Sequence, residues 1–345
     1  MKRLHIIFVG SLFFGMLSCG SKNEAEITSD KSVLERAEIP YLKGESRQIF
    51  EPKPSEDFDE NKWFTNDHCF VVDKDGMLHW FGINNPFPPK GKELYRYHPY
   101  LGHLTSDSAT ENWRREPFAI NEIEGTEYIG APFVIWHEET ERWAMVVEQW
   151  REKRQLEVYW SDDLVDWENN KQAILPNKLW VGTRDPHIMK GNDGKYWIHV
   201  VATGNKGAKQ SQVLRIRTKD FITFEDPETI LGINDNNWAT LIESPFLIER
   251  NGLYYLFFTY AHRRYAETIV VVSEDPDYFD YEKNTLTTLF GHAAEIVSYK
   301  GKEYITSCGP EDAQYLNNHG VTMAELGWLR QPEKPKESKI TQKNN

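Results

Sequence analysis

Cysteine is scarce in this 345-residue chain, which contains only Cys19, Cys69 and Cys308. Their spacing matches no zinc motif, and Cys69 and Cys308 could form one disulfide or remain as two buried thiols. A glycine-rich phosphate loop and a Gly-x-Ser-x-Gly elbow are also absent from the sequence. These absences argue against a P-loop nucleotide site and against a serine hydrolase of the α/β type.

An excess of positive charge is also missing. The chain has 40 Lys and Arg against 53 Asp and Glu, a formal net charge of −13. This acidic balance argues against a nucleic-acid partner and against electrostatic docking on anionic lipid. Aromatic residues are abundant instead, at 13% with 12 tryptophans, which suits both core packing and stacking on sugar rings.

Long hydrophobic runs are absent apart from one near the start. Lys2 and Arg3 precede a mostly apolar stretch at residues 6–17, too short for a permanent transmembrane helix and typical of an export signal. The small and apolar residues directly before Cys19 resemble the processing site of bacterial lipoproteins. That resemblance implies cleavage before Cys19 and lipidation of its thiol. The alternative is an ordinary signal peptide with an incidental cysteine.

These features divide the chain into four regions. We predict a lipoprotein signal peptide at 1–18, a tether and N-terminal extension at 19–50, one large folded domain at 51–330 and a disordered tail at 331–345. The expected location is that of an exported bacterial lipoprotein, periplasmic or at the cell surface. Its only membrane contact would be the lipid anchor.

An internal repeat predicts the architecture of the large domain. Five segments share a polar or small-residue start, an apolar strand, a turn with Gly or charged residues, and an aromatic-rich strand, as expected of β-hairpins. Their starts lie about 50 to 65 residues apart, a spacing typical of propeller blades. The five segments are 66–82, 130–147, 184–200, 243–258 and 291–306.

A second repeat follows four of these hairpins and would close the outer strands of each blade. It consists of an Asp-containing turn that leads to an aromatic residue, at Trp113, Trp167, Phe224 and Phe279. The pattern predicts an all-β, five-bladed β-propeller, with each blade a four-stranded antiparallel sheet. A two-sheet sandwich is the alternative, and the lack of a long helical period disfavours an α/β barrel.

Closure of the ring requires a terminal strand, and the sequence offers two. Residues 320–328 form a late apolar strand, and residues 34–50 could supply an edge strand instead. The sequence does not decide between them.

Three carboxylates occupy the starts of the repeats. The first strand of a propeller blade lines the central channel, so Asp67, Asp185 and Glu243 are expected to converge at its mouth, near Ala131 and His292 of the other two blades. Neighbouring carboxyls raise one another's pKa, so that one can remain protonated while another is ionised. Hydrolysis of a glycosidic bond requires such a pair.

The motifs around these carboxylates resemble those of the five-bladed glycosidases of glycoside hydrolase families 43 and 32. The resemblance covers residues 55–330. Its motifs are Asn66-Asp67, Arg184-Asp185-Pro186, Glu243-Ser244-Pro245 with the following Gly252-Leu253-Tyr254-Tyr255-Leu256 strand, and Ser161-Asp162-Asp163-Leu164 leading to Trp167. The chain departs from the family pattern in the His68-Cys69 pair that follows Asp67, which bears on the substrate class.

The resemblance implies a role for each residue. Asp67 would be the general base of an inverting enzyme or the nucleophile of a retaining one, and Glu243 the general acid. Asp185 would position Glu243, raise its pKa and bind substrate hydroxyls. Arg184 and His292 would bind substrate, and a calcium ion could lie near His292, although the chemistry requires no cofactor.

Tryptophans in loops are candidates for stacking on a sugar. Trp180 and Trp238 lie just before the third- and fourth-blade motifs and are the strongest of these candidates. Trp63, Trp80 and Trp150 are further ones.

The predicted function is an exo-acting glycosidase for furanoside or pentoside units of a polysaccharide or oligosaccharide. One alternative is a retaining fructan hydrolase like those of family 32, and another is a non-catalytic glycan-binding propeller.

Overall fold

A computed structural model describes residues 32–52, 63–86, 97–121, 128–150, 154–175, 183–203, 210–234, 242–260, 266–308 and 320–330. Over these residues the chain forms five antiparallel sheets of four strands each. The prediction of an all-β, five-bladed propeller is confirmed. Two helices, α1 (Val33–Arg36) and α2 (Tyr281–Asn284), have four residues each. Within the described ranges no helix is long and apolar enough to cross a membrane.

Four of the blades use consecutive strands, ordered from the channel outward. Blade 1 contains β2 (Trp63–Val72), β3 (Leu78–Pro86), β4 (Leu101–Ser106) and β5 (Arg114–Arg115). Blade 2 contains β6 (Tyr128–His137), β7 (Arg142–Trp150), β8 (Arg154–Ser161) and β9 (Glu168–Ala173). Blade 3 contains β10 (Arg184–Lys190), β11 (Tyr196–Thr203), β12 (Gln210–Thr218) and β13 (Glu228–Asn234). Blade 4 contains β14 (Ile242–Arg250), β15 (Leu253–Tyr260), β16 (Glu267–Ser273) and β17 (Thr285–Phe290).

Blade 5 combines strands from both ends of the domain. Its order is β18 (Ile296–Tyr299), β19 (Lys302–Cys308), β20 (Val321–Arg330) and β1 (Glu38–Phe50). The two closing strands that the sequence offered are therefore both used, β20 as the third strand and β1 as the outermost. The stretch 19–50, assigned from sequence to an extension, thus supplies a strand of the propeller.

The inner hairpins form where the sequence predicts them because their turns carry residues suited to the left-handed region. In blade 4, Asn251 and Gly252 have φ of 53° and 74°, and in blade 5, Lys300 and Gly301 have 48° and 77°. Two successive positive φ values twist the turn in the direction that the strands require. The apolar faces of these hairpins pack into the buried clusters between blades.

The start of β1 is fastened to blade 4 by polar contacts. The Glu38 carboxylate accepts hydrogen bonds from Arg250 Nε at 2.6 Å and from Arg330 Nε at 3.0 Å. The Glu38 backbone N–H donates to the Tyr255 hydroxyl at 2.9 Å. These contacts hold blade 5 against its neighbour at the point where the ring closes.

Gly320 directly precedes β20. A substitution there tests how much the contact between β20 and β1 contributes to stability. The φ of Gly320 is +64°, and a Cβ at this position would lie 1.9 Å from the Phe50 carbonyl oxygen of β1. We expect Gly320→Ala to lower the free energy of unfolding by about 2–4 kcal/mol, because it adds a backbone clash to the strain of a positive φ. Urea denaturation measures the loss.

The matched control is Gly252→Ala, where φ is +74° and no atom lies within 4 Å of the added Cβ. It should cost only about 1 kcal/mol, the conformational contribution alone. Equal losses in the two variants would contradict a specific role for the contact between β1 and β20.

Candidate active site

A bulge near the start of the inner strand positions the site. In blades 1 to 4 two residues of that strand lie opposite one residue of its partner, which is the signature of a β-bulge. The register shifts lie between Thr65 and His68, Gly130 and Phe133, Arg184 and His187, and Glu243 and Phe246. Bulges turn side chains out of the regular alternation and are common beside active sites.

The three predicted carboxylates have three different positions relative to the bulges of their strands. Glu243 immediately precedes its bulge, Asp185 is the first bulged residue and Asp67 is the second. Asp185 and Ser244 occupy the same bulge position with φ of 55° and 49°. A positive φ at a residue other than glycine is strained. It persists only where the surrounding structure holds the backbone in place, as is common in binding sites. The sequence repeat predicts that these carboxylates lie at the strand starts, and the structure adds their different positions relative to the bulge.

A pocket opens at the centre of the ring and brings the predicted residues together. Asp67, Asp185, Ser244 and Glu295 are among the residues that line it. The Ser244 hydroxyl donates to Asp67 Oδ1 at 3.0 Å, and the Ser244 backbone N–H donates to Asp185 Oδ2 at 3.0 Å. Ser244 therefore fixes the two aspartates relative to each other.

Arg184 connects the third carboxylate to this group. Its Nη2 donates to Glu243 Oε1 at 2.9 Å and to the Ile242 carbonyl oxygen at 3.3 Å, while Nε lies 3.3 Å from Asp185 Oδ2. Glu243 is not among the described residues that line the pocket and stands beside it, with 16% of its side chain exposed. Arg184 thus joins Asp185 and Glu243 in one charged cluster.

Burial and mutual repulsion shift the protonation of these groups. Burial, followed by the charges of Asp185 and Glu243, raises the pKa of Asp67 to about 8. Burial also raises the pKa of Asp185, although the nearby Arg184 opposes the shift. Burial lowers the pKa of Arg184, but the charges of Asp185 and Glu243 outweigh it and the net shift is upward. Near neutral pH the pocket therefore holds a proton on Asp67, as an acid–base site requires.

Blade 2 adds a second arginine that the sequence did not indicate. The Arg154 Nε donates to Glu148 Oε1, which also accepts from Trp150 Nε1 at 2.6 Å. Arg154 interacts electrostatically with Arg184, Asp185 and Glu243. Arg154 lies on the β7–β8 hairpin. Its positive charge, held by Glu148, is therefore close to the carboxylates.

The candidate stacking tryptophans have other roles where the structure describes them. Trp80 is fully buried and Trp63 is 3% exposed, so both belong to the core. Trp150 stacks on Tyr128, with ring centroids 5.0 Å apart, and Arg154 lies 4.8 Å from the Trp150 ring centroid. The Trp150 ring thus packs against Tyr128 and Arg154 and helps to hold the Arg154 side chain in place. Trp180 and Trp238 lie outside the described residues, as does Cys19.

His292 lies next to the residue that precedes Asp67. Its Nε2 is 3.1 Å from Asn66 Oδ1, and its backbone N–H donates to Ser307 Oγ at 2.8 Å. His292 is 8% exposed and is not one of the described lining residues of the pocket. In this position it orients Asn66 at the blade 1 bulge.

The predicted calcium site near His292 has no matching ligand group in the described part of the chain. There, no three His, Cys, Asp or Glu side chains are arranged to hold a metal ion. Calcium prefers six to eight oxygen ligands, whereas the Asn66 amide oxygen already bonds to His292. We therefore assign no step of the chemistry to a metal.

Both described cysteines are buried free thiols. Cys69 and Cys308 form no disulfide, which settles the alternative that the sequence left open. Cys308 Sγ lies 3.6 Å from Asn66 Oδ1, beside the first bulge.

Glu295, Ser244 and Arg154 are the site residues that sequence reasoning missed. Glu295 lies in the repeat segment 291–306, directly before β18, and it lines the pocket. A repeat alignment that allowed for the bulges would have placed Glu295 level with His68, His187 and Phe246. Ser244 could have been found by its position between Glu243 and Pro245.

Comparison with known proteins identifies the fold. No protein-family model and no curated protein matches the sequence. A glycoside hydrolase family 43 β-xylosidase/α-arabinofuranosidase from a compost metagenome, described calcium-free with xylotriose, is 14% identical with a TM-score of 0.56, over 84% of this chain and 95% of its own. An endo-arabinase from Bacteroides thetaiotaomicron is 17% identical with a TM-score of 0.58, over 79% and 95%.

A structure from a second family is similar as well. The family 32 β-fructofuranosidase of Bombyx mori is 18% identical with a TM-score of 0.55, over 77% of this chain and 62% of its own. The chain thus has the five-bladed propeller fold of the structures of families 43 and 32.

Proposed function

We propose that this protein is a glycoside hydrolase that removes terminal furanoside or pentoside units from an oligosaccharide or polysaccharide. The observation that carries the proposal is the cluster of Asp67, Asp185 and Glu243, joined through Ser244 and Arg184 at the central pocket. Buried carboxyls that repel one another lower the stability of a protein. Such groups are therefore typical of sites where they take part in a reaction. Glycoside hydrolysis uses two such carboxyls.

In the proposed mechanism Glu243 protonates the leaving oxygen and Asp67 acts on the anomeric side. Asp67 would activate water in an inverting reaction or attack the sugar in a retaining one. Asp185 and Arg184 position Glu243 and bind sugar hydroxyls. The reaction requires no cofactor, because protein carboxyls supply both the acid and the base.

One observation favours the opposite assignment of acid and base. Asp67 has its pKa raised to about 8 and so carries a proton near neutral pH, while Glu243 lies 2.9 Å from the Arg184 guanidinium. A protonated Asp67 would serve as the acid, and Glu243 would then take the role of the base. A comparison of Glu243→Gln and Asp67→Asn across a series of leaving groups separates the two assignments.

The fold neighbours support the substrate class. The fold neighbours include a family 43 β-xylosidase/α-arabinofuranosidase and an endo-arabinase. Arabinose and xylose are therefore the sugars to test first.

The β-fructofuranosidase neighbour supports a second candidate, a retaining fructan hydrolase. The two candidates differ in substrate and in the configuration of the released sugar. NMR detection of the first-formed anomer separates inversion from retention.

The test of the proposal is a hydrolysis panel of arabino-, xylo- and fructo-oligosaccharides, with monosaccharide release measured by chromatography. Release of arabinose or xylose from chain ends supports the exo-pentosidase, and release of fructose alone supports the alternative. Binding of these glycans without turnover would overturn both and leave a glycan-binding propeller.

We also propose that export and lipidation at Cys19 place the protein in the periplasm or on the cell surface. The support is the sequence before Cys19. Loss of membrane association in a Cys19→Ala variant, measured by cell fractionation, is the expected result.

A further inference from the structure

The site contains a fourth carboxyl group, that of Glu295, which lines the pocket and has no part in the proposed acid–base chemistry. Glu295 directly precedes β18, and only 8% of it is exposed. In blades 1, 3 and 4 the corresponding positions, one residue beyond the bulge, carry His68, His187 and Phe246. Glu295 is therefore an acidic residue in a ring that is otherwise aromatic or apolar.

The backbone of Glu295 is held firmly while its carboxyl group is not. The Thr306 backbone N–H donates to the Glu295 carbonyl oxygen at 2.9 Å, and Thr306 Oγ1 also lies 2.8 Å from His68 Nε2. Within the described part of the chain, no group forms a hydrogen bond with the Glu295 carboxyl. Thr306 thus fixes where the side chain starts, and Glu295 lines the pocket.

The charges around Glu295 do not favour a carboxylate ion. Burial, followed by the charge of Asp67, raises the pKa of Glu295 well above its ordinary value. His68 is buried beside it, and burial lowers the pKa of His68 to about 3, so this ring is neutral. A buried carboxylate without a partner costs several kcal/mol, whereas a neutral carboxyl still needs one hydrogen-bond acceptor and one donor.

A sugar hydroxyl meets both of these needs. It can accept from the carboxyl O–H and donate to the carboxyl C=O, and a buried polar group of the protein is satisfied only when such a hydroxyl is present. Sites built in this way discriminate strongly against ligands that lack the hydroxyl.

We propose that Glu295 is a specificity-determining residue whose carboxyl group forms hydrogen bonds, as donor and acceptor, with a hydroxyl of the sugar unit seated in the pocket. This inference rests on the proposed function and extends it to substrate selection. The competing occupant is a cationic amino sugar, which would pair with an ionised Glu295.

The test measures the binding of free monosaccharides, which cannot be hydrolysed, so its outcome is independent of turnover. Isothermal titration of L-arabinose and D-xylose is compared for wild type, Glu295→Leu and Glu295→Gln, with D-glucosamine as the cationic probe. We expect Glu295→Leu to weaken pentose binding about 10- to 100-fold, since it removes a buried hydrogen-bonding group. Glu295→Gln, which is neutral and keeps one donor and one acceptor, should restore most of the affinity.

Three results with the variants would overturn the inference. They are unchanged pentose binding in Glu295→Leu, equal losses in both variants, and preferential binding of D-glucosamine that Glu295→Gln abolishes. Wild-type protein that binds neither pentose would also overturn it. Near-UV circular dichroism confirms that each variant is folded. A protein that hydrolyses no glycoside but binds pentoses through Glu295 would refute the proposed function alone.

Discussion

Glu243→Gln is expected to lose about 100- to 10,000-fold in kcat/KM on glycosides with an alkyl alcohol leaving group, yet to keep most of its activity on 2,4-dinitrophenyl glycosides. A good leaving group needs no proton from the enzyme, so removal of the general acid matters only for poor ones. The measurement is kcat/KM across a series of leaving groups, for the sugar that the hydrolysis panel identifies.

Asp67→Asn is the companion variant and should lose activity on every substrate, because a base or nucleophile is needed whatever the leaving group. Asp163→Asn, a change in the turn between β8 and β9, controls for the chemistry of the substitution. The reversed pattern, with Asp67→Asn rescued by the good leaving group, would assign the acid to Asp67. Full activity in both site variants would contradict a role for either residue.

Asp67→Asn is also expected to stabilise the protein above neutral pH. The pKa of Asp67 is about 8 in the folded state, far above the value of about 3.9 in an unfolded chain. Between these values the folded state binds more protons than the unfolded state, so its stability falls as pH rises from about 4 to 8. Asparagine does not ionise and avoids that loss, while its Oδ1 can still accept from Ser244 Oγ.

The free energy of unfolding, from urea titrations at pH 4.5 and pH 9, gives the measurement. Asp67→Asn should exceed wild type by on the order of 2–4 kcal/mol at pH 9 and by much less at pH 4.5. Asp163→Asn should behave oppositely, because hydrogen bonds from the Asp166 and Val165 backbone N–H groups lower the pKa of Asp163. Its stabilising contribution is present at pH 9 and is lost as pH falls. A pH-independent difference for Asp67→Asn would contradict the buried, repelled carboxyl.

The blade architecture could be predicted because each inner hairpin is a local structure. Alternating apolar residues and turns such as Asn251-Gly252 specify a hairpin within about twenty residues, and five recurrences specify the ring. The sequence offers both closing strands but does not predict that they pair with each other, since Glu38 lies opposite Arg330 at the far end of the domain. Nothing in a local pattern reports a pairing between such distant residues.

The candidate site was only partly predictable for a related reason. Asp67, Asp185 and Glu243 stand out as carboxylates at strand starts, and the structure places them in one connected cluster. Arg154 and Glu295 do not stand out, because Arg154 reaches the cluster from the β7–β8 hairpin and Glu295 lies within an otherwise apolar start. Their proximity depends on bulges and on packing between blades, neither of which leaves a sequence signal of its own.

The pairing of β1 with β20 has a mechanical consequence. Glu38, at the start of β1, lies opposite Arg330, at the end of β20, so the chain enters and leaves the propeller at one place. A force that pulls Glu38 and Arg330 apart would break the hydrogen bonds between β1 and β20 one after another, beginning at this end, rather than all together. We expect the ring to open at low force by release of β1, while the four blades made of consecutive strands stay folded.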